Sequence, residues 1–257
     1  MTASRPAVLA YGLVVYAIFQ ATFLYCVGFV SGVFVPRDID TVVGAEAAPL
    51  WEALAVNGGL LGLFAVQHLI MARRWFKERW TRIIPAAAER STFVLATCAI
   101  LVLMFFQWRA MPGIVWDVES EGLRLGLNIA SALGWVGVLV STFLINHFDL
   151  FGLSQTVRYF RGQEYVAPRF EVKSFYRYTR HPLYVAFFIA FWCSPTMTLG
   201  HLFFAAMCTG FVLFAVRFEE RDLVAAHGDD YRRYQRDVPM LLPSLQPAER
   251  VSPETAS

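Results

Sequence analysis

Six apolar blocks set what this chain can fold into. They cover residues 8–35, 54–71, 93–108, 125–145, 183–193 and 199–216. A helix needs about 20 predominantly apolar residues to cross a hydrocarbon core, with a range of about 17–25. The second, fourth and last blocks fit that window, and 93–108 fits once extended at either end. The first exceeds it and reads as a tilted or protruding helix. The fifth is too short for a plain span, because Pro182 starts it and Ser194-Pro195-Thr196 stops it. It is either a short crossing or one arm of a re-entrant hairpin with the last helix. Hydrophobic residues make up 57% of the chain and charged residues only 16%, whereas about a quarter of a soluble domain is charged. The expected fold is all-α and integral to the membrane: a multi-helix transmembrane bundle of about five to six membrane helices with a C-terminal helical hairpin.

Charge asymmetry sets the orientation. Nineteen of the Lys and Arg residues lie at Arg5 and within 73–90, 148–182 and 217–257, against three (Arg37, Arg109, Arg124) in 36–50 and 109–125. The positive-inside rule then puts both termini in the cytoplasm, in a bacterial-type inner or plasma membrane. The first block is longer than a signal-peptide core and has no small-residue cleavage site, so no cleavable signal is expected. A net charge of +2 argues against a nucleic-acid partner. Cys26, Cys98, Cys193 and Cys208 stand singly in apolar stretches, so neither a disulfide framework nor a metal site is expected. The chain divides into N-terminal transmembrane helices (1–147), a hairpin with its cytoplasmic segments (148–243) and a disordered tail (244–257).

On this topology the unusual polar residues collect at one depth. Gln67 and His68 end the second helix on the cytoplasmic side, and Asn146, His147 and Asp149 end the fourth. Arg180-His181-Pro182-Leu183-Tyr184 opens the hairpin, and Glu219, Glu220, Arg221 and Asp222 close it. Ionisable groups near membrane depth face a protein interior or a cavity, because lipid exposure costs several kcal/mol. Four elements bringing such groups to one level point to a pocket open to the cytosol. For Arg177 and Tyr178, interfacial snorkelling explains the residues equally well.

Tyr178-x-Arg180-His181-Pro182-x-Tyr184, Glu219-Glu220 and Gly228-x-x-Tyr231-x-x-Tyr234-x-x-x-Val238-Pro239 resemble the C-terminal signature of membrane methyltransferases. These are the isoprenylcysteine carboxyl methyltransferases and phospholipid methyltransferases. Upstream, Gln67-His68-x-x-Met71-Ala72-Arg73 and Asn146-His147-Phe148-Asp149-Leu150-Phe151-Gly152-Leu153 resemble more narrowly the methanethiol S-methyltransferase branch, which overlaps the NnrU-like membrane proteins. One departure is Ala186, where isoprenylcysteine methyltransferases have glycine.

The resemblance implies S-adenosylmethionine as cofactor, bound by Tyr178, Arg180, His181, Pro182, Tyr184, Glu219, Glu220, Tyr231 and Tyr234. An arginine suits the cofactor carboxylate. Glu219 or Glu220 suits the ribose diol or amino group, and tyrosine faces suit adenine. It also implies a small thiol as acceptor. Because the thiolate is the nucleophile, a base near it helps. His147 is the first candidate, flanked by Asn146 and Asp149, and His68 is the second; burial among cations is an alternative route to the thiolate. His201 and His227 read as structural. Phe148, Phe151, Phe187, Phe188 and Trp192 are expected to narrow the acceptor site. Membrane lipid is the surrounding partner, and no obligatory protein partner is evident. Competing readings are methylation of a prenylcysteine carboxylate or a lipid, and a non-catalytic haem-binding or transport protein.

Overall fold

The computed structural model describes residues 4–44, 46–166 and 171–248. In chain order it contains α1 (Arg5–Ser31), α2 (Leu50–Ala72), α3 (Arg74–Trp80), α4 (Ala86–Gln107), β1 (Ile114–Asp117), α5 (Glu121–Ile145), α6 (His147–Leu150), α7 (Leu153–Phe160), α8 (Pro182–Trp192), β2 (Thr196–Thr198) and α9 (Leu199–Asp237). Among the described residues five helices, α1, α2, α4, α5 and α9, are long and apolar enough to cross a membrane. The chain forms two compact units that alternate along the sequence. One comprises Met1–Asp117, His147–Val166 and Thr196–Phe204; the other comprises Val118–Asn146, Ala167–Pro195 and Ala205–Ser257.

In the first unit α1 and α2 both pack on α4, and α7 packs on α1. Val15, Met71, Phe93, Val94 and Cys98 form its core. The first apolar block does not stay helical to Val35. Gly32 takes the left-handed conformation (φ 68°, ψ 26°) and ends α1 at Ser31, a backbone shape that costs glycine little. Val33 and Val35 then fold back over Gly28, where any Cβ would collide with them. Asn57 is a buried polar group of the unit with both ends of its amide paired. At 0% exposure, it donates to the Arg109 carbonyl at 2.8 Å and accepts from its N–H at 2.9 Å. β1 pairs antiparallel with β2, Trp116 opposite Met197, so the turn between α8 and α9 lies on the same side as the loop between α4 and α5. α8 has eleven residues, a rise of about 16 Å against the roughly 30 Å of a hydrocarbon core.

In the second unit α8 packs along α5. Ser131, Gly134 and Gly137 lie three residues apart on one face of α5, which lets the two backbones approach closely. A Cβ on Gly134 would lie 2.6 Å from the Ala190 nitrogen and 3.0 Å from the Ala186 carbonyl oxygen. Ser131 Oγ donates to the Ala190 carbonyl at 2.9 Å. Trp135 meets Phe187 and Phe191 edge-on, with centroids 6.1 and 5.7 Å apart. Ala186 thus has a packing reason to be small, since a Cβ on Gly137 would lie 3.1 Å from its methyl group. α9 runs far past the apolar block that ends at Val216, because residues 217–227 contain no glycine or proline to stop it. The segment 244–248, expected in a disordered tail, is instead anchored: Ser244 N–H donates to the Tyr178 carbonyl at 2.9 Å and Ala248 N–H to that of Arg177 at 2.9 Å. The rest of that tail, 249–257, lies outside the described residues.

The α5–α8 contact can be tested with two alanines. Gly134→Ala should cost about 1–3 kcal/mol because backbone must move apart. Gly126→Ala on the same helix, where nothing lies within 4 Å of a new Cβ, should be neutral or slightly stabilising. Thermal unfolding in detergent compares them; equal midpoints would show that the close approach is not limiting.

Candidate active site

The second unit gathers most of the signature residues around one carboxylate. Pro182 begins α8 at a position where a missing N–H is harmless, leaving Arg180 and His181 in the loop before it. Arg180 Nε donates to Glu220 Oε1 at 2.6 Å, and His181 Nε2 lies 3.1 Å from the same oxygen. Gln235 Nε2 donates to Glu220 Oε2 at 3.0 Å. Arg180 Nη1 also donates to the carbonyls of Gln235 (3.0 Å) and Val238 (2.6 Å), capping the end of α9, where carbonyls lack helical partners. The side chains of Arg180, His181 and Glu220 are 10%, 5% and 14% exposed. Among the described residues Arg180 Nη2 makes no hydrogen bond.

This cluster depends on a break in α9. Glu220 and Gln235 are fifteen residues apart in the sequence, which in a straight helix is about 22 Å along the axis. They meet because Gly228 leaves helical geometry (φ 57°, ψ −128°), a conformation that side chains with a Cβ avoid. The returning turns carry Tyr231 and Tyr234, 2% and 5% exposed, into a cluster with Val172, Val238 and Tyr176. Tyr234 Oη donates to the Tyr176 carbonyl at 2.6 Å. Both rings are therefore interior, and Tyr176 and Val172 pack against them. Burial raises the pKa of Tyr176, Tyr231 and Tyr234 above the usual phenol range. The exposed edge of the site is formed by Glu219, whose Oε2 accepts from Tyr184 Oη at 2.6 Å, and by Tyr178. Tyr184 stacks on His181 with centroids 5.4 Å apart.

Glu220 lies beyond the apolar stretch of α9. Burial works against its charge, but the hydrogen bonds from Arg180, His181 and Gln235 and the arginine's charge outweigh this and hold the carboxyl below its usual range.

The first unit holds the other polar group. Asn146 (φ 157°, ψ 87°) breaks the chain between α5 and α6, and His147 begins α6 at 2% exposure. Its Nε2 lies 2.9 Å from Tyr16 Oη on α1. Phe148 and Phe151 stand edge-on to the imidazole, with centroids at 5.4 and 4.9 Å. This burial lowers the His147 pKa below the usual imidazole value, so the ring is neutral at pH 7. His68 sits elsewhere in the unit, stacked on Phe64 at 5.4 Å and tilted against Phe93 at 4.9 Å. Arg90 covers Phe93 at 4.8 Å and donates to the Leu150 carbonyl at 2.7 Å. Of the expected acceptor aromatics, Phe148 and Phe151 share His147 as neighbour, Phe151 also stacking on Phe19 (3.7 Å), whereas Phe187 fills the α5–α8 contact and Trp192 Nε1 donates to Thr209 at 3.0 Å. His201 is buried, its backbone N–H donating to Thr198 Oγ1 at 3.1 Å.

Two participants were not legible in the sequence. Tyr16 is one of three tyrosines on α1, and nothing local separates it from Tyr11 or Tyr25. Gln235 lies in a polar stretch, where Gly228 inside a helical pattern is the one available signal.

Comparison of the sequence with known proteins finds close relatives named for an enzyme activity. The chain is 49% identical over 239 residues to the methanethiol S-methyltransferase of Mycobacterium tuberculosis, covering 93% of this chain and 97% of the relative. It is 48% identical over 242 residues to that of Crocosphaera subtropica, covering 94% of each. A more distant similarity, 24% over 208 residues, is to Nurim of Xenopus laevis, covering 77% of this chain and 70% of the relative. No family model and no solved structure matches the chain.

The Glu220 cluster sets a stability profile. A carboxyl with a lowered folded pKa stabilises the fold above its unfolded value, near 4.5, and that contribution is lost as pH falls through the lowered value. Unfolding midpoints should therefore be insensitive to this group from pH 7 to about 5 and fall below that. Glu220→Gln should flatten the acid decline. Glu220→Ala, which strands the Arg180 charge, should destabilise by about 3–5 kcal/mol. An acid profile identical in Glu220→Gln and the parent would show that the cluster does not carry it.

Proposed function

The chain belongs to the methanethiol S-methyltransferase family, and we propose that it methylates methanethiol to dimethyl sulfide with S-adenosylmethionine at the cytoplasmic face of the membrane. The observation that carries this reading is identity with proteins named for that activity over nearly the whole chain. The cofactor supplies an electrophilic methyl group on a sulfonium. The donors and acceptors at the Glu220 cluster fit the rest of that molecule. Arg180 Nη2 provides two N–H groups for a carboxylate. Glu219, on the exposed edge, provides acceptor oxygens for an amino group or ribose diol. Glu220 sets the position of Arg180 and His181, and Pro182 and Tyr184 fix the start of α8 beside them. Tyr178 borders the exposed edge, while Tyr231 and Tyr234 build the wall behind it.

In this reading His147 is the base. Its neutral ring has a lone pair at pH 7, and its aromatic surroundings keep water away, which suits a small apolar thiol. His68 is the second candidate, and Asn146 orients the entry to α6. We also place both termini in the cytoplasm, as the nineteen-to-three distribution of basic residues supports. The polar cofactor then approaches from the cytosol, while the thiol and its product partition through lipid.

His147→Ala should lower turnover roughly 10²–10⁴-fold and leave binding of S-adenosylhomocysteine, measured by calorimetry, unchanged. The deficit should shrink as pH rises and the thiol ionises unaided; a constant ratio to the parent would indicate positioning instead. Substrate class is tested by offering methanethiol, ethanethiol and a prenylcysteine analogue together with labelled cofactor. Label should appear mainly in dimethyl sulfide, and label in a carboxyl methyl ester would overturn the thiol reading. A reporter fused to the C-terminus should behave as cytoplasmic.

A further inference from the structure

His147 takes its hydrogen bond from a helix far away in sequence. Tyr16, in the middle of α1, places its hydroxyl 2.9 Å from Nε2, with the two rings nearly perpendicular at 86° and 5.8 Å between centroids. Tyr16 is itself wedged between Phe19 (6.3 Å) and Phe148 (6.1 Å), so the hydroxyl is held where it is. A neutral imidazole needs a hydrogen on one nitrogen only, whereas an imidazolium carries one on each. Whichever nitrogen receives a proton, Nε2 of the charged ring is an N–H donor and needs an acceptor. At 2% exposure, water is a poor source of one. The Tyr16 oxygen is already at hydrogen-bonding distance.

We propose that Tyr16 is a positioning residue for His147: it holds the ring edge-on and accepts the Nε2–H of the imidazolium that forms when His147 takes the thiol proton. This rests on the reading of His147 as the base. In the step, the S–H bond breaks and its electron pair stays on sulfur, while the proton forms an N–H bond on the ring. A phenol suits the task better than a carboxylate would. It leaves the resting pair uncharged, so the ring is not protonated in advance, and it still offers a lone pair once the charge appears. The surrounding elements also carry Tyr11, Tyr25 and Cys26 on α1, His68 on α2, Glu89, Arg90 and Cys98 on α4, Asp149 on α6, Arg158 and Tyr159 on α7 and Tyr165 after it. Asp149 faces Tyr165 and Arg90, and Arg90 donates to the Leu150 carbonyl.

Tyr16→Phe keeps the ring packing and removes only the oxygen. It is compared with His147→Ala and the double variant in the full-length chain, measuring kcat, KM for methanethiol, kcat against pH and affinity for S-adenosylhomocysteine. Tyr16→Phe should reduce kcat about ten-fold, the worth of one charge-assisted hydrogen bond, with inhibitor affinity unchanged. Losing the acceptor disfavours the charged ring, so the acidic limb of the kcat profile should move to lower pH. The double variant should be no slower than His147→Ala alone. An unmoved acidic limb, a further loss in the double variant, or wild-type kcat in Tyr16→Phe beside a slow His147→Ala would overturn the role of Tyr16. Wild-type turnover in His147→Ala would instead remove His147 as base, and the proposal with it.

Discussion

The second unit depends on a single carboxylate held by three side chains. Glu220 takes Arg180 and His181 on one oxygen and Gln235 on the other. Removing an arginine and a glutamate from water costs several kcal/mol each, which mutual attraction offsets only when the remaining hydrogen-bonding positions are also filled. Here they are largely filled, and by groups from separate stretches of chain: the loop before α8, the middle of α9 and its end. The same guanidinium also caps α9 through Gln235 and Val238. One ion pair therefore sets the start of α8, the return of α9 and the exposed edge where Tyr184 meets Glu219.

That return is possible because of one glycine. Gly228 lies at φ 57°, ψ −128°, and without the break the ion pair would lose both Gln235 and the helix end that Arg180 caps. Elsewhere small residues serve a different purpose. Gly134, Gly137 and Ala186 let α5 and α8 approach to backbone contact, which replaces the hydrophobic drive that is absent between helices in lipid. The alanine that departs from the isoprenylcysteine methyltransferase pattern is thus a member of a helix contact.

The first unit ties two of its buried polar groups to partners outside their own helix. Asn57 exchanges two hydrogen bonds with the backbone of Arg109, and His147 meets Tyr16. Such groups are costly in apolar surroundings when left alone, which is why each contact is also a constraint on where the helices stand.

The sequence alone determined the membrane class and, within an expectation of about five to six, the long helices, because block length is a local quantity read directly against the thickness of a bilayer. Arg180, His181, Glu219 and Glu220 stood out as unusual polar residues near membrane depth, and the resemblance they carry proposes them for the cofactor. The sequence missed the end of α1 at Ser31, since a single glycine in an apolar run carries little local signal, and the extension of α9 past Val216, since hydropathy reports the membrane and not the helix. It could not reveal that Tyr231 and Tyr234 are interior or that Ala248 is tied to Arg177. Nor could it pair Tyr16 with His147 or Gln235 with Glu220. Those were decided by tertiary structure, because a hydrogen bond between residues 131 positions apart depends on how helices pack and leaves no periodic trace in either segment.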